Sequence, residues 1–159
     1  MDEITHLIQD CCIANGWTLS LAESCTGGNV AARITRIPGC SQYFLGSIVS
    51  YSNFLKMNVL GVKSEILDQY GAVSEPVVRQ MAQGVLNLTG SDFSLAVSGI
   101  AGPGGGSPLK PVGTIWAAIA RKKQEPFVWD FYLSGSRQEI IEQTTNVLLV
   151  QLWTLIKRE

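Results

Sequence analysis

The chain has 159 residues, enough for one domain with a full hydrophobic core and no need of a disulfide or metal staple. Twelve Lys and Arg against thirteen Asp and Glu leave a net charge of −1, and charged residues are only 16% of the sequence. That balance excludes a nucleic-acid or anionic-membrane surface, which needs clustered basic residues, and no apolar run approaches the roughly 18 residues of a membrane span.

Ile4, Leu7, Ile8, Cys11 and Cys12 recur at helical spacing up to the stop signal Asn15-Gly16, which predicts an amphipathic helix over 2–15 with both cysteines on its buried face. A short strand, Trp17 to Glu23, leads through Ser24-Cys25-Thr26-Gly27-Gly28 into a helix from Asn29 to about Ile37, ended by Pro38-Gly39. The β-branched and aromatic run Phe44 to Tyr51 predicts a second strand, followed by a short helix to Leu60 capped by Ser52 or Asn53. Helical pieces are expected near Ser64 to Tyr70 and from Glu75 to about Leu88, the latter capped by Ser74. Phe93 to Ser98, Val112 to Ala120 and Phe127 to Leu133 read as strands, the last two as a hairpin across the charged turn Arg121 to Glu125. Ser136 and Glu139 form a capping box ahead of a long C-terminal helix.

This order predicts a single domain over 1–159. It should be a three-layer α/β/α sandwich with a mixed, mostly parallel five-stranded sheet. The acidic start Met1-Asp2-Glu3 is unlike a basic signal peptide, and the four cysteines show no Cys-x-x-Cys spacing; a cytoplasmic protein with reduced thiols is expected.

In open α/β sheets ligands collect beyond the carboxyl ends of parallel strands. Three such ends stand out: Glu23 to Gly28, Ser50-Tyr51-Ser52-Asn53 with Lys56, and Ser98-Gly99 with the glycine-rich segment to Pro111. The first sets hydroxyl and thiol groups on a turn opening a helix, either as a nucleophile beside oxyanion-binding N–H groups or simply as a helix cap. The only histidine, His6, falls on the polar face of the first helix, which removes a Ser-His-Asp triad and leaves little for a zinc site. Lys56 becomes the candidate base for Ser24: the helix dipole near its start and burial both lower a lysine pKa. Cys25 is a rival nucleophile or a structural thiol. Glu23 either orients Lys56 or a substrate amide, or is the polar end of a strand. The loop Gly99 to Ser107 can cradle a phosphate but matches neither the Walker A nor the Rossmann spacing, and Arg137 can offer a guanidinium to an anion.

Ala22-Glu23-Ser24-Cys25-Thr26-Gly27-Gly28, Tyr51-Ser52-Asn53 with Lys56, Gly71-Ala72-Val73-Ser74 and Ser98-Gly99-Ile100-Ala101-Gly102-Pro103 occur in one order along the chain. Together with Lys110-Pro111-Val112-Gly113-Thr114 and Ser134-Gly135-Ser136-Arg137, they resemble the CinA C-terminal domain, the nicotinamide mononucleotide (NMN) amidohydrolase family, in its stand-alone form. The resemblance implies hydrolysis of NMN to nicotinic acid mononucleotide and ammonia, with no metal or organic cofactor. It places the nucleophile on Ser24 and the base on Lys56, with Tyr51 and Asn53 flanking the base. Gly99, Ile100, Ala101, Gly102, Gly105 and Arg137 then form the nucleotide-binding side, and Thr26, Gly27 and Gly28 the source of oxyanion N–H groups. The expected partner is the nucleotide alone, in a homo-oligomer. A regulatory module that binds a nucleotide without chemistry, linked to competence and DNA damage, is the alternative.

Overall fold

The computed structural model describes residues 2–159. Helix α1 (Asp2–Asn15) precedes strand β1 (Leu19–Glu23), helix α2 (Asn29–Thr35), a single 3-10 turn and strand β2 (Phe44–Val49). Helices α3 (Asn53–Asn58), α4 (Ser64–Tyr70) and α5 (Glu75–Thr89) follow, then strands β3 (Phe93–Gly99), β4 (Thr114–Arg121) and β5 (Phe127–Tyr132), and helix α6 (Arg137–Ile156). Every expected element is present with ends shifted by a few residues.

The five strands form one sheet in the order β2-β1-β3-β4-β5. β1 is parallel to both β2 and β3, while β4 is antiparallel to β3 and to β5. Four strands therefore share one direction and only β4 opposes them, as the expected mixed, mostly parallel sheet requires. With β1 between β2 and β3, the chain leaves β1 for α2 on one face and reaches β3 by way of α5 on the other. This is the switch-point geometry that opens a crevice at the carboxyl ends of the strands.

Strand alternation divides the interior into two cores. Leu19, Leu21, Phe93, Leu95, Val97, Ile115, Ala117 and Ile119 face α1, α2 and α6 in one cluster. Ala22, Ala96, Ala118 and Ala120 face α5 in the other, with Val77, Val78, Met81, Val85 and Leu86. Small side chains on this second face let α5 lie close to the sheet, close enough for Ser94 Oγ to donate to the Ala82 carbonyl at 2.7 Å. α5 also presses on the end of α3: a Cβ at Gly84 would collide with the carbonyl oxygen of Leu60.

Two expected caps turn out differently. Ser136 and Glu139 form the reciprocal capping box of α6. Ser74 occupies the cap position of α5, but its hydroxyl donates back to the Gly71 carbonyl at 2.7 Å, fastening the α4–α5 turn rather than the helix. Cys12 is buried as expected, whereas Cys11 is half-buried. The basic hairpin turn is tied inward, with Lys122 paired to Asp92 at 2.9 Å and Arg121 to Glu159. Among the described residues no helix is long and apolar enough to cross a membrane.

The Gly84 contact is backbone against backbone, so the helix must move to admit a methyl group. Gly84→Ala is expected to cost about 2–3 kcal/mol and to lower the Tm by roughly 5–10 °C in thermal denaturation followed by circular dichroism.

Candidate active site

β1 and β3 stay in register through Glu23 and Val97, and the Ser24 N–H continues the ladder by donating to the Val97 carbonyl at 3.1 Å. On the other side the Ser50 N–H donates to the Glu23 carbonyl at 2.8 Å. The segments following β1, β2 and β3 are thereby fixed side by side. Ser24, continuing the alternation of Ala22, lies on the α5 face of the sheet.

The chain beyond β2 turns at Ser52, whose hydroxyl accepts from the Leu55 N–H at 3.2 Å and starts α3. That short helix carries Lys56 inward until it is only 1% exposed. Its Nζ lies 3.0 Å from Ser24 Oγ, donates to the Ser50 carbonyl at 2.7 Å and reaches the Tyr51 carbonyl at 3.4 Å. Among the described residues no carboxylate contacts it. Burial holds the Lys56 pKa below the ordinary lysine value, with the neighbouring Cys25 acting in the opposite sense. The expected contribution of the helix dipole is not available, since α3 has six residues and Lys56 already falls in its last turn.

Ser24 and Lys56 form part of the wall of a cavity of about 260 Å³. Tyr51 and Asn53 line it from the α3 side, and Gly99, Ile100, Ala101, Gly102 and Gly105 from the glycine-rich loop. Arg137 closes it from the start of α6. Its guanidinium donates to the Gly102 carbonyl and to Tyr51 Oη, both at 2.8 Å, so that it spans the mouth from the loop to the β2–α3 connection. Lys56 and Arg137 are the basic residues of the lining and no acid is among them, so the Arg137 guanidinium can meet an anionic ligand there.

Four candidates lie elsewhere. Glu23 points to the opposite face of the sheet, where its carboxylate accepts from Thr26 Oγ1 at 2.7 Å, from the Gly28, Val30 and Ala31 N–H groups at 3.0, 3.1 and 3.0 Å, and from Ser47 Oγ at 3.0 Å. It is the cap of α2 and touches neither Lys56 nor the cavity. Two of the three N–H groups expected to serve an oxyanion are spent within the same turn: Gly27 donates to the Ser24 carbonyl and Gly28 to Glu23. Thr26, Gly27 and Gly28 line no part of the cavity. Their positive-φ glycines serve the turn, Gly27 at 59° and Gly28 at 99°. Cys25 does line the cavity, but burial pushes its thiol up to about 12, which keeps it protonated at neutral pH and disfavours it as a nucleophile. Ala72 and Val73, from the α4–α5 turn, and Ser98, at the end of β3, complete the wall without having been singled out individually. Position beyond a parallel strand was the available signal for Ser98; Ala72 and Val73 carry no chemistry that could have marked them.

The model of the CinA C-terminal domain matches residues 1–156. The chain belongs to the CinA C-terminal domain family. A nicotinamide-nucleotide amidohydrolase, PncC, of Shigella flexneri is 49% identical over 140 residues, covering 88% of this chain and 85% of that protein. A CinA-like protein of Endomicrobium trichonymphae is 52% identical over 138 residues, and a putative competence-damage inducible protein of Desulforudis audaxviator 47% identical over 159. Of these longer CinA relatives the chain spans only 32% and 38%. The crystal structure of a CinA superfamily protein from Klebsiella pneumoniae superposes with a TM-score of 0.94 at 34% identity, covering 99% of this chain and 98% of the other.

Glu23, itself buried, ties five donors, and several of them would lose their partner together. Glu23→Ala is expected to destabilise the fold by about 3–5 kcal/mol, read as a fall in the urea midpoint at constant m.

Proposed function

We propose that this chain is an amidohydrolase that cleaves the carboxamide of NMN, giving nicotinic acid mononucleotide and ammonia, with Ser24 as nucleophile and Lys56 as base. The observation that carries the reading is the hydrogen-bond pattern of Lys56. A neutral amine has two N–H donors and one lone pair. The Ser50 and Tyr51 carbonyls take the donors, and the lone pair is then left for the hydroxyl proton of Ser24, 3.0 Å away. Burial without a carboxylate partner favours that neutral form.

In the first step Ser24 Oγ attacks the carboxamide carbon while its proton passes to Lys56 Nζ. As the tetrahedral intermediate collapses, the C–N electron pair moves to nitrogen, which takes the proton from Lys56 and leaves as ammonia. A water molecule, deprotonated by the same amine, then cleaves the acyl-enzyme and restores Ser24. The substrate assignment draws on the 49% identical Shigella relative, named for nicotinamide nucleotides, and on a cavity lined by the Arg137 guanidinium and no acid, suited to a nucleotide phosphate. Arg137 and the flexible-backbone loop at Gly99 to Gly105 are the groups positioned to meet that phosphate.

Ammonia release from NMN by the purified protein tests the reading directly. Binding of NMN without ammonia would instead mark a nucleotide-binding module. Ser24→Ala and Lys56→Gln are each expected to reduce kcat by at least about 10³-fold while leaving the circular dichroism spectrum unchanged. A fully active, folded Ser24→Ala protein would end the scheme. Because the base works only when deprotonated, kcat/KM should rise with pH through the Lys56 pKa and level off above it, with the inflection below the usual 10.5 for lysine.

A further inference from the structure

Ser98 ends the run Ser94, Ala96, Ser98 on the α5 face of β3, and it is 1% exposed. The β1–β3 ladder pairs Ala22 with Ala96 and Glu23 with Val97, so the next residues, Ser24 and Ser98, stand opposite one another on the same face. Adjacent strands run about 4.8 Å apart, which brings the two side chains into the same space. Both line the cavity that Lys56 enters.

The other buried serines of this face spend their hydroxyls inside the protein. Ser94 donates to the Ala82 carbonyl, and Ser20 pairs with Ser91 at 2.8 Å. Ser98 Oγ has no such bond to another described residue. Its oxygen is not among the buried side-chain atoms left without a partner, so it opens to the cavity, where water or a ligand can meet it. Here the wall position supplies the ligand's side of the cavity. The turn after β1, meanwhile, has committed the Gly27 and Gly28 N–H groups to its own structure, so neither of these is left for a developing oxyanion.

We infer that Ser98 is a catalytic residue whose hydroxyl donates a hydrogen bond to the carbonyl oxygen of the substrate carboxamide as Ser24 attacks. The inference rests on the amidohydrolase reading and assigns a role to a residue outside the Ser24–Lys56 pair. In the attack the C=O electron pair moves onto oxygen as the Oγ–C bond forms, and the Ser24 proton goes to Lys56. The Ser98 hydroxyl keeps its own proton throughout and stabilises the negative oxygen. On collapse the electron pair returns to re-form the carbonyl as the C–N bond breaks.

Such a donor acts on the transition state more than on the bound substrate, so its removal shows in kcat rather than KM. Ser98→Ala removes one oxygen from the cavity wall and adds no bulk. It is expected to lower kcat for NMN by about 10²–10³-fold with KM changed less than about threefold and thermal denaturation essentially unchanged. A rise in KM at constant kcat, or no change in either, overturns the assignment.

The second arm needs no turnover. 3-Pyridylboronic acid can add to a serine Oγ to give a tetrahedral, anionic boron centre resembling the intermediate. Its Kd for the unaltered protein, measured by ¹¹B NMR or calorimetry, should rise by at least about 10-fold in Ser98→Ala, and binding should vanish in Ser24→Ala. If NMN is not hydrolysed but the boronate arm behaves so, the NMN assignment fails and the Ser98 role stands. Equal boronate affinity with and without the hydroxyl, or no serine adduct in the unaltered protein, refutes the Ser98 role.

Discussion

A lysine amine enclosed in protein must place its hydrogens on acceptors, and the choice of acceptors decides what the amine can do. Lys56 sits where the Ser50 and Tyr51 carbonyls reach it and, among the described residues, no carboxylate does. An acid in their place would form an ion pair and fix the lysine as a cation. Two neutral carbonyls instead satisfy its N–H groups while leaving the amine free of a counter-charge. Much of the local architecture follows from this requirement. β2 must end at Val49 for the chain to turn, Ser52 must start α3, and α3 must be short enough to drop Lys56 under the end of β1.

The two cores contribute differently. The α5 face of the sheet carries alanines and serines, and the helix behind it approaches closely, giving Ser24 and Ser98 a floor with little room to shift. The opposite face carries leucines, isoleucines and Phe93 under α1, α2 and α6. There Glu23 gathers the β1–α2 turn from below while Ser24 emerges above. Neighbouring residues on one strand thus divide the work, one holding the turn and the other facing the cavity.

Periodicity and capping signals were enough to find every helix and strand, because amphipathic stripes and β-branched runs are properties of contiguous residues. The single exposed His6 and the three strand ends were enough to bring Ser24 and Lys56 together before any coordinates. Partner choice across space was less legible. Glu23 next to a candidate nucleophile reads equally well as a group that orients Lys56 or a substrate amide or as the polar end of a strand; its actual task, capping α2, depends on strand parity and on where α2 lies, and both are tertiary facts. The Gly27 and Gly28 N–H groups looked available because a turn opening a helix has free donors, yet the Glu23 carboxylate, five residues before Gly28, consumes one and the Ser24 carbonyl the other. Ser98 is one of many serines in the sequence, and only the β1–β3 register distinguishes it.

The alternation along β1 carries a further consequence for how this protein can vary. Glu23 and Ser24 face opposite sides of one sheet, so inserting or deleting a single residue in β1 would exchange their destinations. The carboxylate would enter the cavity beside Lys56, where it would convert the amine to a permanently paired cation, and the hydroxyl would be left alone against the N–H groups of α2. Fold and chemistry would fail at the same step, so the length of this five-residue strand is held by reactivity as firmly as by packing.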